Sequence, residues 1–203
     1  MKGEEGQSIN TDYGSGLLCV VSSPSGGGKT SIIEEVRKRH PEFDYSVSAT
    51  TRPKRPAEVH GVDYLFVSDK QFDAYLQVGS FVEWADVHGC RYGTLKEPIL
   101  RMLEAGKVVM LDLDVHGGMN VKREFPEKSL LIFLCPPSEN ELVNRLQKRN
   151  SESEQEIERR LERMQMELSY VDKYDVQIVN RNFGQSVRQV ERAIQECQAI
   201  LEV

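Results

Sequence analysis

The sequence predicts an α/β protein: a parallel-sheet core with helices on both faces, an inserted mixed α/β lobe and a helical lid. Four apolar runs are the first sign, LLCVVS (17–22), KVVMLDLD (107–114), SLLIFLC (129–135) and VQIVN (176–180). They are continuous rather than alternating, as in strands covered on both faces. Helical patterns over 29–39, 95–105, 138–149, 155–171 and 184–202 separate or follow them, and such alternation marks a parallel α/β sheet. The third sign is the loop SSPSGGGKTS (22–31), set between the first strand and the first helix.

In chain order, residues 1–15 are polar, without the apolar centre of a signal peptide, and read as a frayed tail. The loop follows the pattern G-x-x-x-x-G-K-[ST] of a phosphate-binding P-loop except at its first glycine, which is Ser23. Ser25 through Ser31 form the expected nucleotide loop. Gly26, Gly27 and Gly28 free the backbone N–H groups to face an anion, Lys29 brings an ammonium to the outer phosphates, and Thr30 offers a hydroxyl to Mg²⁺. Ser23 precedes Pro24, which favours an extended backbone, so its side chain is expected to point away from the phosphates. Ile32, Ile33 and Val36 give the next helix an apolar stripe, and its N-terminus adds a favourable dipole.

Residues 45–94 break the alternation with shorter polar strand-like pieces rich in Arg and Tyr, and read as the inserted lobe. The core resumes at 95–137, where Asp112 and Asp114 end an apolar strand, the place where ligands gather in such sheets. Residues 138–170 read as the lid. Ser138 and Glu141 have capping-box spacing, Arg145 and Arg149 share a helical face, and Arg160 lies on the following helix. The core then closes over 171–203.

The chain has 203 residues, 39% hydrophobic, which suits one domain spanning 16–203 with insertions. A net charge of −6 argues against a nucleic-acid-coating protein. No run is long enough to span a membrane. Cys19, Cys90, Cys135 and Cys197 are far apart without a C-x-x-C pair, which fits free thiols in a reducing cytoplasm.

The segments SATTRPKRPAEVHGVDYLF and FVEWADVHGCRYGT, with the DLD pair and the R-L-x-x-R of the lid, resemble the guanylate kinase family over roughly residues 15–200. The resemblance implies ATP-dependent, Mg²⁺-dependent phosphorylation of GMP and dGMP, in purine nucleotide metabolism. It places Ser48, Glu83, Thr94 and Asp114 on the guanine base and Arg52, Arg55, Tyr64 and Tyr92 on the GMP phosphate. It places Arg145, Arg149 and Arg160, with Lys29, on the transferring phosphates, and Asn180 near the adenine of ATP. Asp112 would hold a metal-bound water. His116 stands where the family usually has glutamine, with no function assigned.

The chemistry of these side chains agrees with that implication. Arginine forks three residues apart can clamp a dianionic phosphate. Guanine presents N1–H and N2–H₂ donors, which a carboxylate such as Glu83 accepts, and an O6 acceptor for the hydroxyl of Ser48 or Thr94. Three rivals are a non-catalytic phosphopeptide-binding module of the same fold, a kinase for another mononucleotide, and a plain P-loop ATPase. The intact Gly28-Lys29-Thr30, Glu83 and the Arg/Tyr lobe speak against them in turn.

Overall fold

The structure, a computed structural model, describes residues 14–24, 26–87, 89–138 and 154–201, with 154–160 as backbone only. Its elements run β1 (Leu17–Ser22), α1 (Lys29–Arg39), β2 (Asp44–Tyr45), β3 (Ala49–Thr50), β4 (Leu65–Phe66), α2 (Asp69–Gln77), β5 (Phe81–Val87), β6 (Cys90–Leu95), α3 (Lys96–Glu104), β7 (Val108–Asp112), α4 (Val115–Glu124), β8 (Ser129–Cys135), α5 (Glu154–Leu168), β9 (Val176–Val179) and α6 (Phe183–Leu201). A 3₁₀ turn over Val171–Lys173 links α5 to β9.

The central sheet has the order β2-β7-β1-β8-β9, and every pairing in it is parallel. β1 lies in the middle, with Val20 beside Leu111 on one side and Leu131 on the other. Alternate residues feed two cores. Cys19, Val21, Met110 and Ile132 pack with Ile32 and Val36 of α1 and Val187 and Ile194 of α6. Leu18, Val20, Leu111 and Phe133 pack with Ile99 and Leu103 of α3 and Val121 of α4. Both faces are therefore apolar, which is why these strands read as unbroken hydrophobic runs.

β2 adds a fifth strand that the apolar pattern does not show. It is two half-buried residues, paired through Asp44 with Val109 at the sheet edge. The pattern also leaves α4 unassigned, because Gly117 and Gly118 weaken its helical signal. Packing demands Gly118: a Cβ there would lie 2.5 Å from the Tyr174 hydroxyl.

The second sheet has the order β4-β3-β6-β5. Its small core joins Ala49, Phe72 and Phe81, the two rings stacked at 4.5 Å. Phe72 comes from α2, whose start is set by a Ser68–Gln71 capping box. The helix expected over 155–171 is α5 and the turn after it, whereas the helix expected over 138–149 lies outside the described residues. All four cysteines are free. No helix among the described residues is long and apolar enough to cross a membrane.

Candidate active site at the carboxyl ends of the central strands

The loop after β1 turns on Gly26 (φ 83°) and Gly28 (φ 87°), and Gly28 opens α1. The Gly27 N–H donates to the Pro24 carbonyl at 2.9 Å. Gly27 is required by close approach: a Cβ there would lie 2.8 Å from both Cβ and Oγ of Ser23. Ser23 is buried and its hydroxyl donates to the Pro24 carbonyl at 3.1 Å. Its side chain is thus packed against the loop's own backbone. Ser25 lies outside the described residues, and Ser31 is exposed on the first turn of α1.

Two side chains brace this loop. Asn180, which follows β9, donates from Nδ2 to the Gly27 carbonyl at 2.9 Å and accepts from Ser186 Oγ at 2.9 Å. Both ends of its amide are engaged in holding the loop. Ser22 accepts from the buried Tyr174 hydroxyl at 2.7 Å and donates to the Leu113 carbonyl at 2.9 Å, tying β1 to the end of β7.

At that junction Lys29, Thr30 and Asp112 meet. Lys29 Nζ is 2.7 Å from Asp112 Oδ1 and donates to the Leu113 carbonyl at 2.8 Å. The Thr30 hydroxyl donates to Asp112 Oδ2 at 3.1 Å. A hydroxyl and a carboxylate side by side are hard oxygen donors suited to Mg²⁺. No cluster of three or more His, Cys, Asp or Glu side chains arranged to hold a metal occurs among the described residues.

A cavity of about 360 Å³ opens from this cluster toward the second sheet, with Thr30 and Asp112 on one wall and Glu58 and Tyr64 on the other. Arg52 stands behind it, its guanidinium carbon 5.4 Å from the centre of the Tyr64 ring and 5.7 Å from that of Phe66. Its guanidinium is occupied by Glu58, Nη2 donating to Oε1 at 2.7 Å and Nη1 to Oε2 at 3.1 Å. Glu58, and then Tyr92, hold Arg52 charged well above the ordinary range. Tyr64 and Tyr92 meet edge to face at 5.8 Å, and burial raises the Tyr64 phenol. The Arg55 side chain is exposed, while its N–H donates to Glu58 Oε2 at 2.7 Å. Ser48 lies just before β3, its carbonyl accepting from the Leu65 N–H at 2.9 Å.

Glu83 of β5, which does not line this cavity, sits against the first turn of α4, where a Cβ on Gly117 would be 3.4 Å from its carboxyl carbon. Thr94 donates to Glu83 Oε1 at 2.5 Å. Its hydroxyl proton, expected to serve a base oxygen, is here directed onto Glu83. Burial pushes Glu83 up to about 7; the Thr94 bond opposes the shift and the Asp114 charge adds to it. Asp114 caps α4, Oδ1 accepting from the Gly117 N–H at 2.9 Å, so capping leaves Oδ2 for other partners.

One of those partners was not singled out in the sequence. Arg163 on α5 brings Nη2 to 3.8 Å from Asp114 Oδ2, and its Nε donates to Glu167 at 3.1 Å. In sequence it is one charge within a dense charged run. Glu58 was likewise visible only as part of the motif. Arg145 and Arg149 lie outside the described residues, as does the side chain of Arg160. His116 packs edge to face on Tyr170 at 5.2 Å, at the foot of α5.

Residues 15–197 match the protein family described as guanylate kinase. The chain is 47% identical over 163 residues to a guanylate kinase of Thermobifida fusca, covering 80% of this chain and 83% of that one. It is 45% identical over 179 residues to that of Gloeobacter violaceus, covering 88% and 87%. Among solved structures it resembles the guanylate kinase of Anaplasma phagocytophilum, with a TM-score of 0.73 and 27% identity, covering 90% of this chain and 86% of that one.

Proposed function

The chain belongs to the guanylate kinase family, and from that premise we propose that it transfers the γ-phosphoryl group of ATP to GMP and dGMP with Mg²⁺. The observation that carries this reading is one cleft with two kinds of wall. Thr30 and Asp112, the latter paired with Lys29 of the phosphate loop, share a cavity of about 360 Å³ with Tyr64 and Glu58, and Glu58 holds Arg52.

In this scheme Gly26, Gly27 and Gly28, with Ser25 and Ser31, cradle the phosphates of ATP. Lys29 leaves Asp112 to neutralise them. Thr30 and Asp112, the latter through a water, would hold Mg²⁺, which when bound supplies further positive charge to the phosphates. Arg52, Arg55, Tyr64 and Tyr92 bind the GMP phosphate. Ser48, Glu83, Thr94 and Asp114 recognise guanine. Asn180 braces the loop on the ATP side. Arg145, Arg149 and Arg160 are assigned to the transferring group by their match to the family motif.

Catalysis is then positioning and charge neutralisation, and no general base is needed because the accepting phosphate oxygen is already ionised. The division into core (16–44, 95–137, 171–203), GMP lobe (45–94) and lid (138–170) follows from these roles. The substrates point to cytoplasmic purine nucleotide metabolism.

A coupled assay supplying ATP with GMP, dGMP, AMP, CMP or UMP tests the proposal. Turnover with GMP and dGMP and little with the others is expected. ATP hydrolysis indifferent to the monophosphate would overturn it.

A further inference from the structure

We propose that Glu58 is a positioning residue for phosphate recognition: it grips Arg52 by the terminal edge of the guanidinium and so presents the Nε edge to the phosphate of the nucleoside monophosphate. The inference rests on the assignment of Arg52 to that phosphate.

Arginine has five N–H donors in a planar fork. Here Glu58 takes one from each terminal nitrogen, at 2.7 and 3.1 Å, and Nη1 also donates to the Pro53 carbonyl at 2.9 Å. These bonds engage the terminal edge. The Nε–H and the second hydrogen of Nη2 lie parallel along the other edge, the geometry that matches two oxygens of a phosphate. The rings of Tyr64 and Phe66, inclined at 61° to each other, flank the guanidinium and limit its movement. Its rotation is thus set by Glu58, and the two rings confine it from the side.

Glu58 is itself held. Its Oε2 accepts the Arg55 N–H at 2.7 Å, its own N–H donates to the Arg55 carbonyl at 3.1 Å, and Lys54 Nζ donates to its carbonyl at 2.6 Å. The loop from Arg52 to Glu58 is closed on this one carboxylate. Both charged side chains are 16% exposed, so the pair is largely shielded from water. A carboxylate this well anchored orients the guanidinium before substrate arrives, which lowers the ordering cost of phosphate binding.

The rival chemistry is that Glu58 occupies the phosphate's place and must be expelled. The two differ in the sign of one measurement. In Glu58→Gln, positioning predicts that Kd and KM for GMP rise about tenfold, as for the loss of one good charge-assisted bond, with kcat within about threefold. KM for ATP and the affinity for guanosine, which has no phosphate, stay unchanged. In an Arg52→Lys background, Glu58→Gln should add less than about twofold, because the two act as one unit.

Tighter GMP binding in Glu58→Gln would overturn the proposal in favour of competition. Equal losses for GMP and guanosine, unchanged GMP affinity, or additive effects with Arg52→Lys would also overturn it. If the Gln variant fails to fold, Glu58→Asp and Glu58→Ala decide instead: Asp, which keeps the charge, should lose less GMP affinity than Ala, and an equal loss would count against positioning. A parent enzyme unable to phosphorylate GMP would instead sink the proposed function.

Discussion

With Glu83 assigned to guanine as proposed, one buried carboxylate links specificity to pH. Its charged form is disfavoured by burial, so it titrates near 7 instead of 4.5. Guanine donors need the carboxylate ionised. As pH falls from about 8 to about 6, KM for GMP should therefore rise, by at most about tenfold per unit, while KM for ATP stays flat. Glu83→Gln should bind GMP poorly and lose that pH dependence; a Gln variant whose KM still follows pH would assign the titration elsewhere. Stability carries the opposite sign. The raised value favours the neutral folded form, a contribution present below about 4.5 and lost as pH rises through about 7. Urea unfolding above neutral pH should thus find Glu83→Gln more stable than the parent, by up to about 3 kcal/mol. Lys29 is a simpler case. Its ammonium touches Asp112 and the Leu113 carbonyl in a partly exposed site, so Lys29→Met should fold normally and lose kcat by orders of magnitude. Retained turnover would remove Lys29 from the chemistry.

At the scale of the element, the phosphate loop is defined by what touches it. Ser23, the departure from the motif, packs into the space that Gly27 leaves open. Ser23→Gly should change kcat/KM for ATP by less than about tenfold, about 1.4 kcal/mol, because no phosphate-facing group is altered; a hundredfold gain would mean that Ser23 impairs the loop. Gly27→Ala collides with Ser23 and the Pro24 carbonyl, 3.0 Å away. ATP affinity should fall steeply in that variant. Asn180 ties the same loop to the last strand and helix, and its Ala variant should weaken ATP binding while sparing GMP. Equal weakening of both would argue against a local brace.

For the whole molecule, the two-faced central sheet carries stability and the cleft rests on it. Phe133 is fully buried on β8 and meets Tyr174 edge to face at 5.2 Å; Tyr174 in turn bonds Ser22 beneath the phosphate loop. Phe133→Ala should cost about 3–5 kcal/mol, read as a lower denaturation midpoint. Tyr174→Phe should cost only about 1 kcal/mol, since Ser22 keeps its bond to the Leu113 carbonyl. Similar losses in the two variants would show that the hydroxyl, not the ring packing, dominates this junction.

The parallel core was legible in the chain because strands buried on both faces must be apolar nearly throughout, and β1, β7 and β8 are, whereas the edge strand β9 buries Ile178 but exposes Gln177 and Val179. The phosphate loop was legible because few residue types allow its backbone, and the residues proposed for the base and the phosphate could be named because their spacing matches a known family. What the sequence could not determine was partnership. β2 is two residues whose strand character exists only beside β7. Gly118 is demanded by Tyr174, 56 residues away in the chain, and Arg163 meets Asp114 only when α5 lies against α4. Asp112 with Lys29, Glu58 with Arg52 and Thr94 with Glu83 are likewise contacts between side chains whose types were visible but whose pairing was not. Hydrophobic period and backbone freedom are local properties carried by the chain itself, whereas the ionisation of Glu83 and the orientation of Arg52 depend on distances and burial that arise only after folding.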